Sequence, residues 1–168
     1  MGLPRVAVIG CGNWGKNLVR NFAHLGALST VCDADQKRLD YVAKEHKGIA
    51  VTSDYDSVLA DANVSAIVIA TPSDTHFLLA EKALLAGKHV YVEKPLTHTF
   101  EEAEILMRAE KKFKVVTQMG NQGHSSDGGR RAVELLRGGA IGKVKGIHIW
   151  TNRPVWPQGV GRPEAKPV

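Results

Sequence analysis

The sequence is poor in cysteine and in aromatic residues, and it has no long hydrophobic run. Its 168 residues include two cysteines, and only 6% are aromatic. Two cysteines are too few for a disulfide framework, and Cys11 and Cys32 lie in apolar segments without metal-ligand spacing, so we expect buried, reduced thiols and no metal site. No apolar run approaches the roughly 20 residues of a membrane span and no signal peptide is visible, so we expect a cytoplasmic protein without a membrane partner.

The net charge of +5 is unevenly distributed along the chain. Residues 1–107 contain 10 basic and 13 acidic residues, whereas residues 108–168 contain 12 and 4. The basic excess therefore belongs to the C-terminal part. Its lysines and arginines are scattered and are not interleaved with aromatic residues as in nucleic-acid-binding modules, so we expect no nucleic-acid partner.

Short apolar runs alternate with amphipathic segments over the first 120 residues. The runs are rich in valine and isoleucine and apolar on both faces, as in strands covered by helices on both sides. The predicted strands are Arg5–Ile9, Leu28–Cys32, Ala66–Ala70, His89–Val92 and Val115–Met119. The predicted helices are Lys16–Leu25, Gln36–His46, Asp54–Ala60, Thr75–Ala86 and Phe100–Lys112. This alternation predicts an α/β fold with a doubly wound, mostly parallel sheet.

The pattern changes after Met119. A glycine-rich loop is predicted over residues 120–129, a helix over Arg130–Arg137, and a strand over Lys143–Trp150. A strand without a successor leaves an unpaired edge. We therefore expect Lys143–Trp150 to fold back on the domain or to pair with a second copy in a homo-oligomer.

The chain accordingly divides into three parts. Residues 1–120 form the first domain, and residues 121–150 contain the loop, the helix and the orphan strand. Residues 151–168 hold four of the seven prolines and predict irregular chain.

The first predicted strand runs into the turn GCGNWG, residues 10–15, which a helix follows directly. A GxGxxG turn in this context is the dinucleotide-binding fingerprint of the Rossmann fold. Gly10 allows the tight turn, Gly12 lets the backbone approach a pyrophosphate, and Gly15 lets helix and strand pack closely. Asn13 and Trp14 complete the turn, so we count them among the cofactor contacts. A purely structural glycine turn is the alternative.

Asp33 ends the second predicted strand, 18 residues after Gly15. An acidic side chain at this distance accepts hydrogen bonds from the adenosine ribose and repels a 2′-phosphate, which favours NAD over NADP. Lys37 and Arg38 lie close enough to weaken this preference, so NADP stays open and Arg38 is a further cofactor contact. The alternative role for Asp33 is to cap the next helix, which Asp35 could do instead.

Two further polar segments follow later strands: TPSDTH at residues 71–76 and EKP at residues 93–95. The carboxyl ends of parallel strands meet at one edge, where doubly wound sheets bind ligands. Considered alone, His76 is typical of a solvated residue in the first turn of a helix, and Lys94 beside Glu93 of a weak surface pair. At a dinucleotide site, a lysine can polarise a carbonyl or share a proton with a reacting hydroxyl.

Together these elements resemble the glucose-fructose oxidoreductase/inositol dehydrogenase (Gfo/Idh/MocA) family over about residues 4–150. The most specific part is ATPxxxH followed by GKHVxxEKP. The resemblance implies that the first motif lies along the nicotinamide half of the cofactor, and that Lys94 is a catalytic residue beside nicotinamide and substrate. It also implies that Pro95 is cis and aims this lysine. The implied cofactor contacts in the two motifs are Thr71, Pro72, Ser73, His76, Glu93 and Lys94.

The substrate is expected to be a sugar or a sugar nucleotide. Residues 1–115 most resemble sugar-nucleotide 3-dehydrogenases, whereas residues 118–160 resemble a separate branch of the family, so the sugar is not assigned. Four polar residues follow the last strand of the cofactor domain and are candidates to face the sugar: Gln118, Asn121, Gln122 and His124. That they instead satisfy the backbone of a loop is equally open.

Members of the family continue into a second α/β domain that covers the nicotinamide and supplies a catalytic histidine. We therefore expect the cofactor-binding domain of an NAD(P)-dependent oxidoreductase that transfers hydride between nicotinamide and a sugar carbon, with the C-terminal substrate domain missing. The alternative is a stand-alone or engineered dinucleotide-binding module without turnover. Whether this chain by itself is an enzyme stays open.

Overall fold

Six parallel strands form one sheet in the computed structural model, which describes residues 3–150. The strands are β1 Val6–Ile9, β2 Leu28–Cys32, β3 Ala50–Thr52, β4 Ala66–Ile69, β5 His89–Glu93 and β6 Thr117–Gly120. Their spatial order is β3-β2-β1-β4-β5-β6, so the winding reverses between β1 and β4. The predicted doubly wound parallel sheet is confirmed, and the crevice beside such a reversal is where these sheets bind ligands.

Helices connect successive strands across both faces of the sheet. They are α1 Gly15–His24, α2 Gln36–Glu45, α3 Tyr55–Ala60, α4 His76–Leu85 and α5 Phe100–Phe113. A single 3-10 turn, Ser73–Thr75, precedes α4. At the start of α5, Thr99 and Glu102 form a reciprocal capping box, in which the amide of Glu102 donates to Thr99 Oγ1 at 3.2 Å.

Alternate residues of each central strand face two separate hydrophobic cores. Ile67 and Ile69 point into a core shared with α4 and α5, whereas Val68 and Val8 join a core shared with α1 and α2. All four side chains are at most 2% exposed, as expected for a sheet covered on both faces. The two thiols are free and buried, as predicted.

Strand β3 is absent from the expectations drawn from the sequence. It has three residues, Ala50–Thr52, and none of them is fully buried, so it lacks the apolar signature of the central strands. It pairs with β2 and forms one edge of the sheet. A short edge strand is specified by its partner more than by its own sequence.

A second compact unit begins at His124. Its helix α6, Asp127–Arg137, starts three residues before the predicted Arg130, because the Ser126 side chain accepts the amide of Gly129 and caps the helix. The glycines at 128 and 129 had favoured a loop in the sequence.

The strand expected at Lys143–Trp150 is wrong. These residues form no regular secondary structure, and Ile147 and Ile149 are 77% and 92% exposed. Alternation alone does not make a strand, because its backbone groups need a neighbouring strand to bind. Pairing of this strand with a second copy therefore loses its basis. The expected proline-rich tail, residues 151–168, lies outside the described residues.

Over residues 3–150, no helix is both long and apolar enough to cross a membrane. Within the same range, no three histidine, cysteine, aspartate or glutamate side chains come together as a metal site.

Lys88 links the loop between α4 and β5, in which it lies, to the loop between α3 and β4. The residue is 8% exposed, and its Nζ donates to the carbonyl oxygens of Asp61 and Val64, both at 2.7 Å. These carbonyls lie in the connection between α3 and β4. The Asp61 carbonyl also accepts the backbone amide of Val64 at 3.1 Å, so the Lys88 ammonium adds a second donor there and supplies the donor for the Val64 carbonyl.

Replacing Lys88 with methionine should lower the free energy of unfolding by about 2–4 kcal/mol, because two charged hydrogen bonds are lost and the carbonyl of Val64 loses its donor. Chemical denaturation followed by circular dichroism measures this. The matched control is Lys82→Met, since Lys82 pairs at 3.1 Å with an exposed Asp56. Such a pair contributes about 1 kcal/mol or less. Equal effects of the two substitutions would contradict the assignment.

Candidate functional site

Two adjoining cavities lie at the carboxyl edge of the sheet. The larger, about 780 Å³, is lined by the β1–α1 turn, the end of β2 and the end of β4. The smaller, about 360 Å³, is lined by the ends of β4 and β5. Ala70 and Thr71 belong to both linings, so the cavities form one elongated crevice beside the point where the winding reverses.

Gly10 and Gly15 fix the turn that begins the crevice. Gly10 has φ +85°, and a Cβ there would lie 2.9 Å from the backbone of Ala70. A Cβ on Gly15 would overlap the carbonyl oxygen of Gly10. No side chain fits at either position, so the turn holds β1, α1 and the end of β4 together as the fingerprint predicts.

Gly12 differs from these two because its Cβ would meet only the tip of a flexible side chain. The nearest atom is Nη1 of Arg38, at 3.2 Å. The fold therefore tolerates a side chain at Gly12, while the open backbone at this point is what an approaching anion needs. Asn13 lines the large cavity and Trp14, 49% exposed, lines the small one.

Asp33 presents a buried carboxylate at the end of β2. The amide of Cys11 donates to Oδ2 at 2.7 Å and the amide of Asp35 donates to Oδ1 at 2.9 Å. Burial opposes its ionisation, but these amides, the Cys11 thiol and the Arg38 guanidinium outweigh burial and lower the pKa of Asp33. The carboxylate is charged at neutral pH and keeps lone pairs for a ligand. Asp35, not Asp33, caps α2, by accepting the amide of Lys37 at 2.9 Å.

The residues around Asp33 hold its carboxylate in one orientation. The Cys11 thiol donates to Oδ2 at 3.4 Å, and burial together with the charge of Asp33 raises the pKa of this thiol to about 12. Arg38 approaches Asp33 Oδ2 and Asp35 Oδ2, each at 3.5 Å, and its side chain is 52% exposed. Arg38 thus reaches over the large cavity from the first turn of α2.

The end of β4 folds into a tight turn around hydroxyls. Thr71 Oγ1 and Thr75 Oγ1 are 2.7 Å apart, and the Thr75 hydroxyl also donates to the carbonyl of Pro72 at 2.7 Å. Thr71 and Pro72 line the large cavity, and Ser73 lines the small one. His76 is 1% exposed, so its interpretation as a solvated residue in the first turn of a helix is wrong.

The end of β5 supplies the charged groups of the small cavity. Glu93 and Lys94 line it, and the Lys94–Pro95 peptide bond is cis, as expected. Lys94 is exposed and forms no ion pair with any residue in 3–150. A lysine and a glutamate therefore face the opposite end of the crevice from Asp33.

Two residues behind Glu93 are missing from the sequence predictions. The Tyr91 hydroxyl donates to Glu93 Oε1 at 3.3 Å, and burial and this carboxylate raise the pKa of the phenol. A Cβ on Gly120 would lie 2.8 Å from the Tyr91 hydroxyl and 3.0 Å from the Glu93 carboxyl. The observation that could have revealed this contact is the register between β5 and β6, in which Gly120 pairs with Glu93. This register cannot be derived from the sequence without the order of the strands in the sheet.

Gly120→Ala should displace the Tyr91 hydroxyl and lower the free energy of unfolding by about 1–3 kcal/mol, as expected for overpacking. Removing the hydroxyl with Tyr91→Phe makes room for the new methyl group. The double variant should therefore be more stable than Gly120→Ala alone. Chemical denaturation of the wild type, the two single variants and the double variant measures the coupling free energy between the two positions. Additive changes in the free energy of unfolding would contradict the contact.

The large cavity also contains residues that the sequence did not indicate. Tyr55 lines it with Ser53 and Leu79, and its hydroxyl donates to the carbonyl of Leu79 at 2.8 Å. Burial raises the pKa of this phenol. Tyr55 opens α3 directly after β3, so the omission of β3 hid its position.

The four candidate substrate residues have different positions. Gln122 lines the small cavity with Glu93 and Lys94. Gln118 and Asn121 are exposed and belong to neither lining, and the side-chain amide Nε2 of Gln118 donates to the carbonyl of Met119 at 2.7 Å. His124 begins the second unit of the chain.

The crevice suits an elongated ligand with three chemically different parts. A pyrophosphate fits the glycine turn, where backbone and the N-terminus of α1 are open. The two neighbouring hydroxyls of a ribose can both donate to the carboxylate of Asp33. A redox-active ring that exchanges a hydride with a hydroxyl or ketone carbon fits the cavity lined by Glu93 and Lys94. These residues fit a nicotinamide dinucleotide.

Comparison with known proteins agrees with this geometry. UDP-N-acetylglucosamine 3-dehydrogenase of Acidithiobacillus ferrooxidans is 37% identical over 117 residues, which cover 70% of this chain and 36% of that protein. The scyllo-inositol 2-dehydrogenase (NAD(+)) of Bacillus subtilis is 33% identical over 145 residues, 83% of this chain and 42% of that protein.

A solved structure shows the same arrangement of elements. Scyllo-inositol dehydrogenase from Lactobacillus casei, with bound NAD(H) and scyllo-inositol, is 28% identical with a TM-score of 0.78, covering 84% of this chain and 43% of that one. The chain thus spans about two fifths of the length of these relatives. The family described as an oxidoreductase family with an NAD-binding Rossmann fold matches residues 4–121, and the chain belongs to this Gfo/Idh/MocA family.

Proposed function

We propose that this chain binds NAD(H) along the crevice and that the protein it represents is a sugar or sugar-nucleotide dehydrogenase. One observation carries the proposal: all four motifs of the sequence line two adjoining cavities, with Asp33 at one end and Glu93 and Lys94 at the other. A purely structural glycine turn does not require this convergence of polar groups.

The adenosine half of the cofactor belongs in the large cavity. Asp33 accepts hydrogen bonds from the ribose hydroxyls, and the backbone at Gly12 meets the pyrophosphate. The same carboxylate repels a 2′-phosphate, so NAD is preferred over NADP. Arg38, half exposed and within 3.5 Å of Asp33, reduces this preference without reversing it.

Lys94 is the proposed catalytic residue at the other end. When bound, the cofactor accepts or supplies the hydride. In the oxidative direction the hydroxyl proton of the substrate passes to Nζ of Lys94, and in the reductive direction Nζ returns a proton to the carbonyl oxygen. Glu93 lies beside the nicotinamide ribose, and the Tyr91 hydroxyl fixes its carboxylate.

The substrate class follows from the relatives and the small cavity. The relatives named above act on UDP-N-acetylglucosamine or scyllo-inositol by their names, both of which carry secondary hydroxyls. Gln122 faces the small cavity and is suited to hydrogen bonding such hydroxyls. Gln118 and Asn121 are further candidates for the same role, and the substrate role of His124 stays a prediction from the sequence. The buried free thiols fit a reducing compartment, and we place the protein in the cytoplasm.

Fluorescence titration with NADH and with NADPH tests cofactor binding. We expect saturable NADH binding and affinity for NADPH that is lower by about tenfold. Gly12→Val should abolish binding of both while leaving the melting temperature unchanged, because its side chain meets only the flexible Arg38. Failure of the wild-type chain to bind either nucleotide would overturn the proposal.

Turnover is tested separately by following NAD reduction with scyllo-inositol and with UDP-N-acetylglucosamine. Lys94→Met should reduce any turnover by about a hundredfold or more and NADH affinity by only a few-fold, since it removes the proton carrier and one of several cofactor contacts. Cofactor binding without turnover on any polyol favours the alternative, a binding module that needs a further domain or partner.

A further inference from the structure

His76 is the most buried ionisable side chain of the small cavity. It begins α4, its side chain is 1% exposed, and both ring nitrogens lie against backbone carbonyl oxygens. Nδ1 is 2.7 Å from the carbonyl of Pro95, and Nε2 is 2.9 Å from the carbonyl of Thr71. The two carbonyls belong to the loops that follow β5 and β4.

The two carbonyl oxygens restrict the protonation state of the His76 ring. A carbonyl oxygen only accepts hydrogen bonds, so each ring nitrogen must donate. A neutral imidazole has one N–H, and its other nitrogen would direct a lone pair at a carbonyl oxygen at hydrogen-bonding distance. An imidazolium carries two N–H groups and satisfies both carbonyls.

We propose that His76 is a positioning residue that, as an imidazolium, ties the loop after β4 to the loop after β5 and thereby holds Lys94 in place. The carbonyl that Nδ1 contacts belongs to the residue directly after Lys94. The other anchor, Thr71, lies in the wall common to both cavities. This inference rests on the proposed function, because the two loops that His76 ties together border the part of the crevice where nicotinamide and substrate meet.

Charged side chains share the lining of the small cavity with His76. Glu93 and Lys94 line the small cavity with His76, and Asp74 lies in the exposed 3-10 turn before α4. No carboxylate among residues 3–150 forms an ion pair with His76, so the two carbonyl oxygens are the groups that stabilise the positive charge. Both ring nitrogens are occupied by carbonyls, so His76 has no nitrogen left to contact a cofactor or to transfer a proton to a substrate.

Nuclear magnetic resonance of the wild-type chain with 15N-labelled histidine tests the state of the ring directly. Long-range proton–nitrogen correlations, assigned with the His76→Gln variant, report whether one or both nitrogens carry a proton. We expect both ring nitrogens to carry a proton. A neutral ring with a single protonated nitrogen would overturn the proposal, and this measurement does not depend on any ligand.

Two variants test the positioning role. Asparagine places a donor near the position of Nδ1 and glutamine near that of Nε2, so His76→Asn and His76→Gln each keep one of the two bonds. We expect each to weaken NADH binding by about fivefold or more. Binding of ADP-ribose, which lacks the nicotinamide, should stay within about twofold of the wild type.

The pair of ligands separates positioning from a general structural role. Equal losses for NADH and ADP-ribose, or no loss for either, would overturn the positioning role. His98→Gln is the matched control, because His98 is an exposed histidine in the loop after β5, and it should change neither affinity. If the wild-type chain binds neither ligand, the proposed function fails, while the protonation of His76 is still decided by the resonance measurement.

Discussion

Gly15→Ala should abolish NADH binding and lower the free energy of unfolding by about 3 kcal/mol or more, at the upper end of overpacking effects. The added Cβ would overlap the carbonyl oxygen of Gly10. Gly10 cannot move away from the added Cβ, because its φ is +85° and its Cα faces the backbone of Ala70 at the end of β4. The only relief is to move α1 away from β1, which opens the turn that meets the pyrophosphate.

Two measurements check this expectation: chemical denaturation for stability and the NADH fluorescence titration for binding. Gly128→Ala is the matched control, because Gly128 is also in the first turn of a helix and a Cβ there meets nothing within 4 Å. Alanine in place of glycine in a helix should stabilise by up to about 1 kcal/mol. A stable Gly15→Ala variant that still binds NADH would mean that the turn is not rigid.

Comparison of Gly15 with Gly12 separates the structural role of the fingerprint from its binding role. Gly12→Val presses only on the flexible guanidinium of Arg38, so it should affect binding and not stability. Gly15→Ala should affect both. The sequence gives the same weight to each glycine of the motif, and only the position of Arg38 distinguishes them.

The fold could be predicted from the sequence wherever burial was strong. The strands β1, β2 and β4 are buried on both faces because helices cover both, and β5 is buried on one face. The predicted bounds of these four strands differ from those observed by at most one residue at either end. The short edge strand β3 carries no such signal. Lys143–Trp150 carries an alternating signal but pairs with no strand among residues 3–150, and pairing is a property of the fold that local sequence does not contain.

The same distinction between local sequence signals and long-range pairing applies to the candidate site. The sequence indicates Asp33, Lys94 and the glycine turn, because each follows a strand whose carboxyl end reaches the crevice. It does not indicate Tyr91 or Gly120, whose contact with Glu93 depends on the register between β5 and β6. His76 was indicated by its motif, but its burial against two carbonyls depends on how two loops meet.

Asp33→Ser should change the ratio of NADH affinity to NADPH affinity by about a hundredfold, in favour of NADPH. The substitution removes the carboxylate that accepts the ribose hydroxyls, so NADH binding weakens. It also removes the charge that repels a 2′-phosphate. Arg38 then loses the contact of its Nη1 with Asp33 and keeps that of its Nε with Asp35, so Nη1 is available to pair with that phosphate and NADPH binding strengthens.

The control for this prediction is Asp35→Asn, which separates the loss of the carboxylate at Asp33 from the release of Arg38. Asp35 lines the same cavity and contacts Nε of Arg38 at 3.5 Å, and asparagine caps α2 as well as aspartate does. If the carboxylate of Asp33 sets the cofactor preference, Asp35→Asn changes the affinity ratio by only a few-fold. If both substitutions favour NADPH equally, the preference depends on the freedom of Arg38, and Asp33 acts mainly by restraining that arginine.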